Sequence, residues 1–145
     1  MSFERITTRN RNKLSQELHD WVIEMTVERL YGKFREAGRK IYTNPNQQKN
    51  FAVNGFYPDI VVYNPETKKV TFIDEIETEV GDIEKNQWED FAKLGINFSV
   101  TVPSNDVENA KKIIRDNKIR VTSLWSYKTD YPATKNITFR EEPLL

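Results

Sequence analysis

At 145 residues, 37 % hydrophobic and 30 % charged, the chain has the length of one domain with a real core and is too apolar for disorder. The absence of cysteine excludes disulfides, thiolate zinc, iron–sulfur clusters and thiol catalysis, and no apolar run approaches the about 18 residues of a membrane span. Lys plus Arg and Asp plus Glu balance at 22 each, so contact with a nucleic acid would require segregated charge.

The start, Met1-Ser2-Phe3-Glu4-Arg5, lacks the apolar stretch of a secretory signal, and a cytoplasmic location is the default expectation. Residues 12–37 carry Leu14, Leu18, Trp21, Val22, Met25, Leu30 and Phe34 at helical steps, with Gly38 as the expected cap. His19, the sole histidine, could serve as a general base, against the simpler expectation of a surface or half-buried helix position. Residues 39–43 read as a strand, 44–50 as a polar loop, and Asn54-Gly55 as a tight hairpin turn. An antiparallel meander follows: 39–53 with an interruption, 56–63 and 69–77.

Asp82 is the expected cap of a helix over 83–94, ended by Gly95. A strand over 96–102, a helix from Ser104 or Asn105 to about 116, and a strand over 119–125 complete the pattern. Strands alternating with a helix imply a parallel crossover. The tail from Tyr127 reads as irregular, with a short strand at 136–140.

The chemistry concentrates in Pro58-Asp59 and in Asp74-Glu75-Ile76-Glu77. Glu75 and Glu77 share one face of their strand, and Asp74 and Ile76 the other. A turn centred near 66–67 puts Asp59 opposite residue 74 or 75 and close to Glu75. Each carboxylate pair at roughly 4 Å costs about 1 kcal/mol in water and about 4 kcal/mol at an effective dielectric near 20. A cation among them, or a proton on one, offsets that cost. Hard oxygen ligands of this kind suit Mg²⁺ or Mn²⁺.

Pro58-Asp59 followed by Glu75-Ile76-Glu77 at the end of the next strand resembles the PD-(D/E)xK nuclease superfamily. Gln87-Trp88-Glu89-Asp90-Phe91 is similar to the Gln-x-x-x-Tyr element of its RecB-like members, with Phe91 in place of Tyr. The superfamily usually has Lys where this chain has Glu77, although some restriction enzymes carry Glu-x-Glu there and are active. The resemblance covers about residues 14–125 of a single nuclease-like domain spanning 1–145. It implies an α/β fold with a restriction-endonuclease-like αβββαβ core, a central mixed sheet flanked by helices, and an extra αβ unit.

The resemblance further implies a Mg²⁺-dependent nuclease acting on DNA, with RNA left open and a homodimer expected. Asp59 and Glu75 would bind the metal, with the backbone carbonyl of Ile76 as a further ligand and Glu77 as proton acceptor or second-metal ligand. Lys85 is a candidate substitute for the missing lysine, against a plain solvent-facing role. From the first helix, Glu17, Glu24 and above all Glu28 are candidates for a further metal contact, against the simpler reading of a solvated glutamate. DNA would be met by one of the basic clusters: Arg9, Arg11 and Lys13; Arg35, Arg39 and Lys40; or Lys111, Lys112, Arg115, Lys118 and Arg120. Two other readings stay open. One is a catalytically silent member of the fold that binds nucleic acid or a protein. The other is an unrelated α/β domain whose acids lie on its surface.

Overall fold

A computed structural model describes residues 8–144; the opening segment read above for a leader lies outside them. The fold is mixed α/β. One six-stranded sheet has helices on both faces, with strands in sequence order: β1 (Lys40–Thr43), β2 (Ile60–Asn64), β3 (Lys69–Ile76), β4 (Asn97–Pro103), β5 (Ser123–Thr129) and β6 (Ile137–Glu142). β1, β2 and β3 form the antiparallel meander, β3, β4 and β5 run parallel, and β6 returns antiparallel to β5. The parallel steps carry α3 (Asp82–Ala92) and α4 (Val107–Asp116), since parallel neighbours need a crossover rather than a tight turn.

Alternation along the strands sorts the core onto the two faces. Ile60 and Ile76 join Val22, Ile23 and Val27 of α1 (Lys13–Leu30). Val61 and Ile73 join Trp88 and Phe91 of α3 and Ala110 of α4. Ile60, Val61, Ile73 and Ile76 are all 0 % exposed, and each such aliphatic side chain contributes about 1.5–3 kcal/mol through burial.

Four predicted boundaries need correction. The helix expected over 12–37 breaks at Tyr31, whose ψ of 3° is non-helical, and resumes as α2 (Gly32–Glu36). Tyr31 turns inward there to donate to Asp74, and Gly32 weakens the helix at the same point. Gly38 does end the segment, at φ 83°. Residues 44–59 do not lengthen the meander strands. They make an excursion around the buried Asn44, whose amide donates to the carbonyls of Phe51 and Pro58 and whose Oδ1 accepts from the N–H groups of Asn50 and Phe51. Asn54-Gly55 forms the expected tight turn, but it closes only an isolated Val53–Phe56 bridge.

The strand predicted over 119–125 lies at 123–129 instead, because Ile119 is used as a buried plug after α4 rather than as a ladder residue. The short strand expected at 136–140 is present as β6, but the tail before it is not irregular from Tyr127, since β5 runs on to Thr129. β5 and β6 pair over six positions from Leu124–Glu142 to Thr129–Ile137, and the hairpin extends the sheet well past residue 125.

Candidate functional site

Asp59 immediately precedes β2, Glu75 is near the end of β3, and Glu77 is one residue beyond that strand. The β2–β3 register shifts between Val62 and Tyr63, where Thr71 is the extra residue on β3. Beyond the shift Ile60 pairs with Asp74, so Asp59, one step on, faces Glu75. Without the shift the same turn would have set it against Asp74, on the other face of the sheet. Asp59, Glu75 and Glu77 are thereby buried together at 8 %, 2 % and 1 % exposure.

The backbone N–H of Asp59 donates to Glu75 Oε1 at 3.0 Å, and Asp59 Oδ2 accepts from the N–H of Ile76 at 2.8 Å. Burial first, then repulsion from Asp59 and Glu77, pushes the Glu75 carboxyl well above its ordinary range. Burial, Glu84 and Asp59 do the same to Glu77, although hydrogen bonding from Trp88 and the charge of Arg11 oppose it. Glu77 is held firmly. Trp88 Nε1 donates to its Oε2 at 2.7 Å, its N–H donates to Thr101 O at 2.9 Å, and Tyr127 Oη donates to its carbonyl at 2.7 Å.

The cations come from the first helix and the segment before it. His19 Nε2 lies 3.1 Å from Asp59 Oδ2 and its Nδ1 lies 3.0 Å from Asp20 Oδ1. Burial works against charge on this ring, but Asp59 and Asp20 outweigh it and raise the pKa to about 9, so His19 is an imidazolium at neutral pH. Arg11 reaches to 3.6 Å from Glu77 Oε1. Arg9 forks onto Glu84 through Nε at 2.9 Å and Nη2 at 2.6 Å, and its Nη1 meets Glu79 at 2.7 Å. Asp74, on the opposite face, is 0 % exposed and accepts from Tyr31 and Thr101. Burial raises its pKa to about 8 against the pull of those hydrogen bonds.

Asp59, Glu75 and Glu77 line one cavity of about 580 Å³, together with His19, Arg9 and Arg11. Two other candidates lie elsewhere. Glu28 is exposed and lines a separate groove with Glu24, because Val22, Ile23, Thr26 and Val27 take the sheet-facing side of α1. Lys85 opens onto a third depression beside Asn109 and Lys112, one helical step round α3 from the buried Glu84 and Trp88. Of the basic clusters, only the first brings arginines to the carboxylates. Lys112, Arg115, Lys118 and Arg120 are exposed on and after α4.

Sequence reasoning did not place Glu84 in the site, expected His19 at a surface or half-buried position where it is in fact 3 % exposed, and named Arg11 only within one of three clusters for DNA contact. His19 carried a usable signal, since it stands three and four residues before Val22 and Ile23, on the same helical face. Arg9 and Arg11 precede α1 and have no periodicity to place them.

The donor set fits a hard divalent cation in the open manner usual for Mg²⁺, which takes one or two carboxylates and fills its remaining positions with water and phosphate. Among the described residues no group of three or more His, Cys, Asp or Glu side chains is arranged to hold a metal ion by itself. The fit rests instead on Asp59, Glu75 and Glu77 meeting at one cavity, where burial and mutual repulsion disfavour charge on Glu75 and Glu77, a cost that a cation beside Asp59 would offset. Comparison with protein-family models, with curated proteins and with solved structures returns no match.

Proposed function

We propose that this chain is a divalent-cation-dependent nuclease of the PD-(D/E)xK kind, with a restriction-endonuclease-like core and Glu77 in the position usually held by lysine. One observation carries the reading. Asp59 and Glu75, far apart in sequence, face each other in a shared cavity at the end of the strand that feeds the parallel crossover. Element order supports it: a helix, a three-stranded meander, a helix and a parallel strand.

In this reading Asp59 and Glu75 would hold Mg²⁺ or Mn²⁺, with the Ile76 carbonyl as a further ligand by resemblance. Bound there, the cation supplies polarisation of a phosphate and a more acidic water. The protein's own groups do the rest. His19 keeps Asp59 oriented through Nε2, and Asp20 holds the other ring nitrogen. Arg11 takes over the positive charge that the third motif position lacks, and it stabilises charge developing on the phosphate. Glu77, fixed by Trp88, would be the proton acceptor for an attacking water, and a cation in the cavity would favour its carboxylate form.

The test is incubation with DNA in Mg²⁺, Mn²⁺ or EDTA, beside Asp59→Ala/Glu75→Ala. Cation-dependent fragments that the double variant does not produce are expected, and fragments surviving in the variant contradict the assignment. A silent nucleic-acid-binding module is the second reading, favoured by the position of Lys85 away from the cavity. Salt-sensitive DNA binding without cleavage on any substrate would select it.

A further inference from the structure

We infer that the cavity takes one unpaired nucleotide, so that the substrate is single-stranded or branched nucleic acid rather than continuous duplex; this rests on the nuclease reading above.

The first ground is depth. The carboxylates that would do the chemistry are 1–8 % exposed, at the floor of a cavity of about 580 Å³. A sphere of that volume is about 10 Å across, within the usual range for a site that encloses a small ligand. A paired and stacked nucleotide, which carries its neighbours and its partner strand with it, is too large for a cavity of that size. A single strand with its base turned aside is not.

The second ground is the mouth. Tyr57 lines the cavity and is 38 % exposed, unusual for a large ring beside a charged site. Its neighbour Phe56 is packed edge-on against Phe91, with ring centroids 5.5 Å apart, which gives Tyr57 a rigid footing. Lys49 Nζ stands over the Tyr57 ring, 5.5 Å from its centroid, a cation–π contact that a base stacking on that face would displace toward its own phosphate. Every base has a π-face, so such a platform holds unpaired bases with little regard to sequence.

The third ground is the polar wall. Gln47 and Gln48 from the 44–59 excursion and Gln87 from α3 line the same cavity, and an amide can both donate to and accept from an exposed base edge. Gln47 follows Asn46, and both have left-handed backbone, φ 57° and 49°. Backbone strain of this kind is held at ligand clamps more often than in plain connections. The Asn46 N–H is pinned by Asp20, the carboxylate that also holds His19, so the clamp and the site share one anchor.

The experiment is fluorescence anisotropy in EDTA, where no cleavage occurs. The wild-type chain, Tyr57→Ala and Tyr57→Trp are titrated with a labelled single-stranded DNA and with the same sequence as duplex, and unlabelled dAMP serves as competitor. The single strand is expected to bind at least tenfold tighter than the duplex. Tyr57→Ala should lose about 5- to 150-fold on the single strand, the range that one base–aromatic stack supplies. Tyr57→Trp should restore binding. Equal affinity for duplex and single strand, or no effect of Tyr57→Ala, overturns the inference, as does dAMP competing at the oligonucleotide's own affinity, which would mark a free-nucleotide site. The same substrates are incubated in parallel with Mg²⁺: cleavage of duplex DNA with an indifferent Tyr57 would sink this inference and leave the nuclease reading intact. Tyr57-dependent single-strand binding with no cleavage in Mg²⁺ would overturn the nuclease reading and leave the cavity as a single-strand binding site.

Discussion

Replacing His19 by Gln removes a buried cation while keeping a polar side chain against Asp59 and Asp20, and it has a calculable effect on stability. The imidazole pKa is about 9 in the folded chain against an ordinary 6.5. A gap of about 2.5 units corresponds to roughly 3 kcal/mol of proton-linked stability. The folded value is the raised one, so the folded state holds the proton more tightly. The stabilisation is therefore complete below pH 6.5 and is lost as pH rises through about 9. Urea unfolding of wild type and His19→Gln at a series of pH values from about 6 to 10 reads this out. Between the ends of that range the wild type should lose about 3 kcal/mol more than the variant. Asp74 titrates in both proteins, so its contribution cancels in the comparison. Because the chain has one histidine, its imidazole resonance follows the same proton directly. Parallel stability curves, or an imidazole midpoint at or below 6.5, would refute the ion pair and with it the place of His19 in the site.

Asp74→Asn tests the buried carboxyl on the other face. Its folded pKa of about 8 is raised from 3.8, so its contribution is complete below that ordinary value and is lost as pH rises through 8. The variant should flatten the fall in melting temperature between about pH 5 and 8, and an unchanged slope would contradict the burial argument. Burial and the neighbouring Asp59 and Glu77 disfavour charge on Glu75, so Glu75→Gln, which removes that charge, should melt at or above wild type in EDTA at pH 7. Mg²⁺ at a hundredfold its Kd should stabilise wild type by about 2.7 kcal/mol and leave this variant unmoved; equal gains would exclude Glu75 as a ligand. Asn44→Ala strips four hydrogen bonds from the 44–59 excursion. At roughly 0.5–1.5 kcal/mol each, a loss of about 2–6 kcal/mol is expected in urea unfolding, with faster amide exchange over residues 44–58. A variant as stable as wild type would show that the Asn44 side chain does not organise the loop.

The pairing of Asp59 with Glu75 was legible because strand alternation and a short turn leave few registers. The choice between Asp74 and Glu75 was not, since it depends on a single extra residue at Thr71, which no residue type announces. Helix α1 was legible from its apolar steps, but its end was not, because Tyr31 leaves the helix for a tertiary partner, Asp74, that lies 43 positions away. The same holds for the cations. Lys85 and Glu28 were read from nearness in sequence and from helical spacing, whereas His19 and Arg11 are recruited by packing. The β5–β6 hairpin was obscured by a polar linker, whose closure by Thr129 donating to Asn136 O and Thr134 to Asp130 is side-chain chemistry rather than a turn signature.

The central claim is that Asp59 and Glu75 form the working centre of a cation-dependent nuclease. It is tested most directly by the single-turnover cleavage rate of a single-stranded DNA in Mg²⁺, for wild type against Asp59→Asn, with circular dichroism to establish that both are folded. Cleavage by wild type that EDTA abolishes, and a folded Asp59→Asn slower by a factor on the order of 10³, is the predicted result. Equal rates in the two proteins, or a rate indifferent to EDTA, would contradict it.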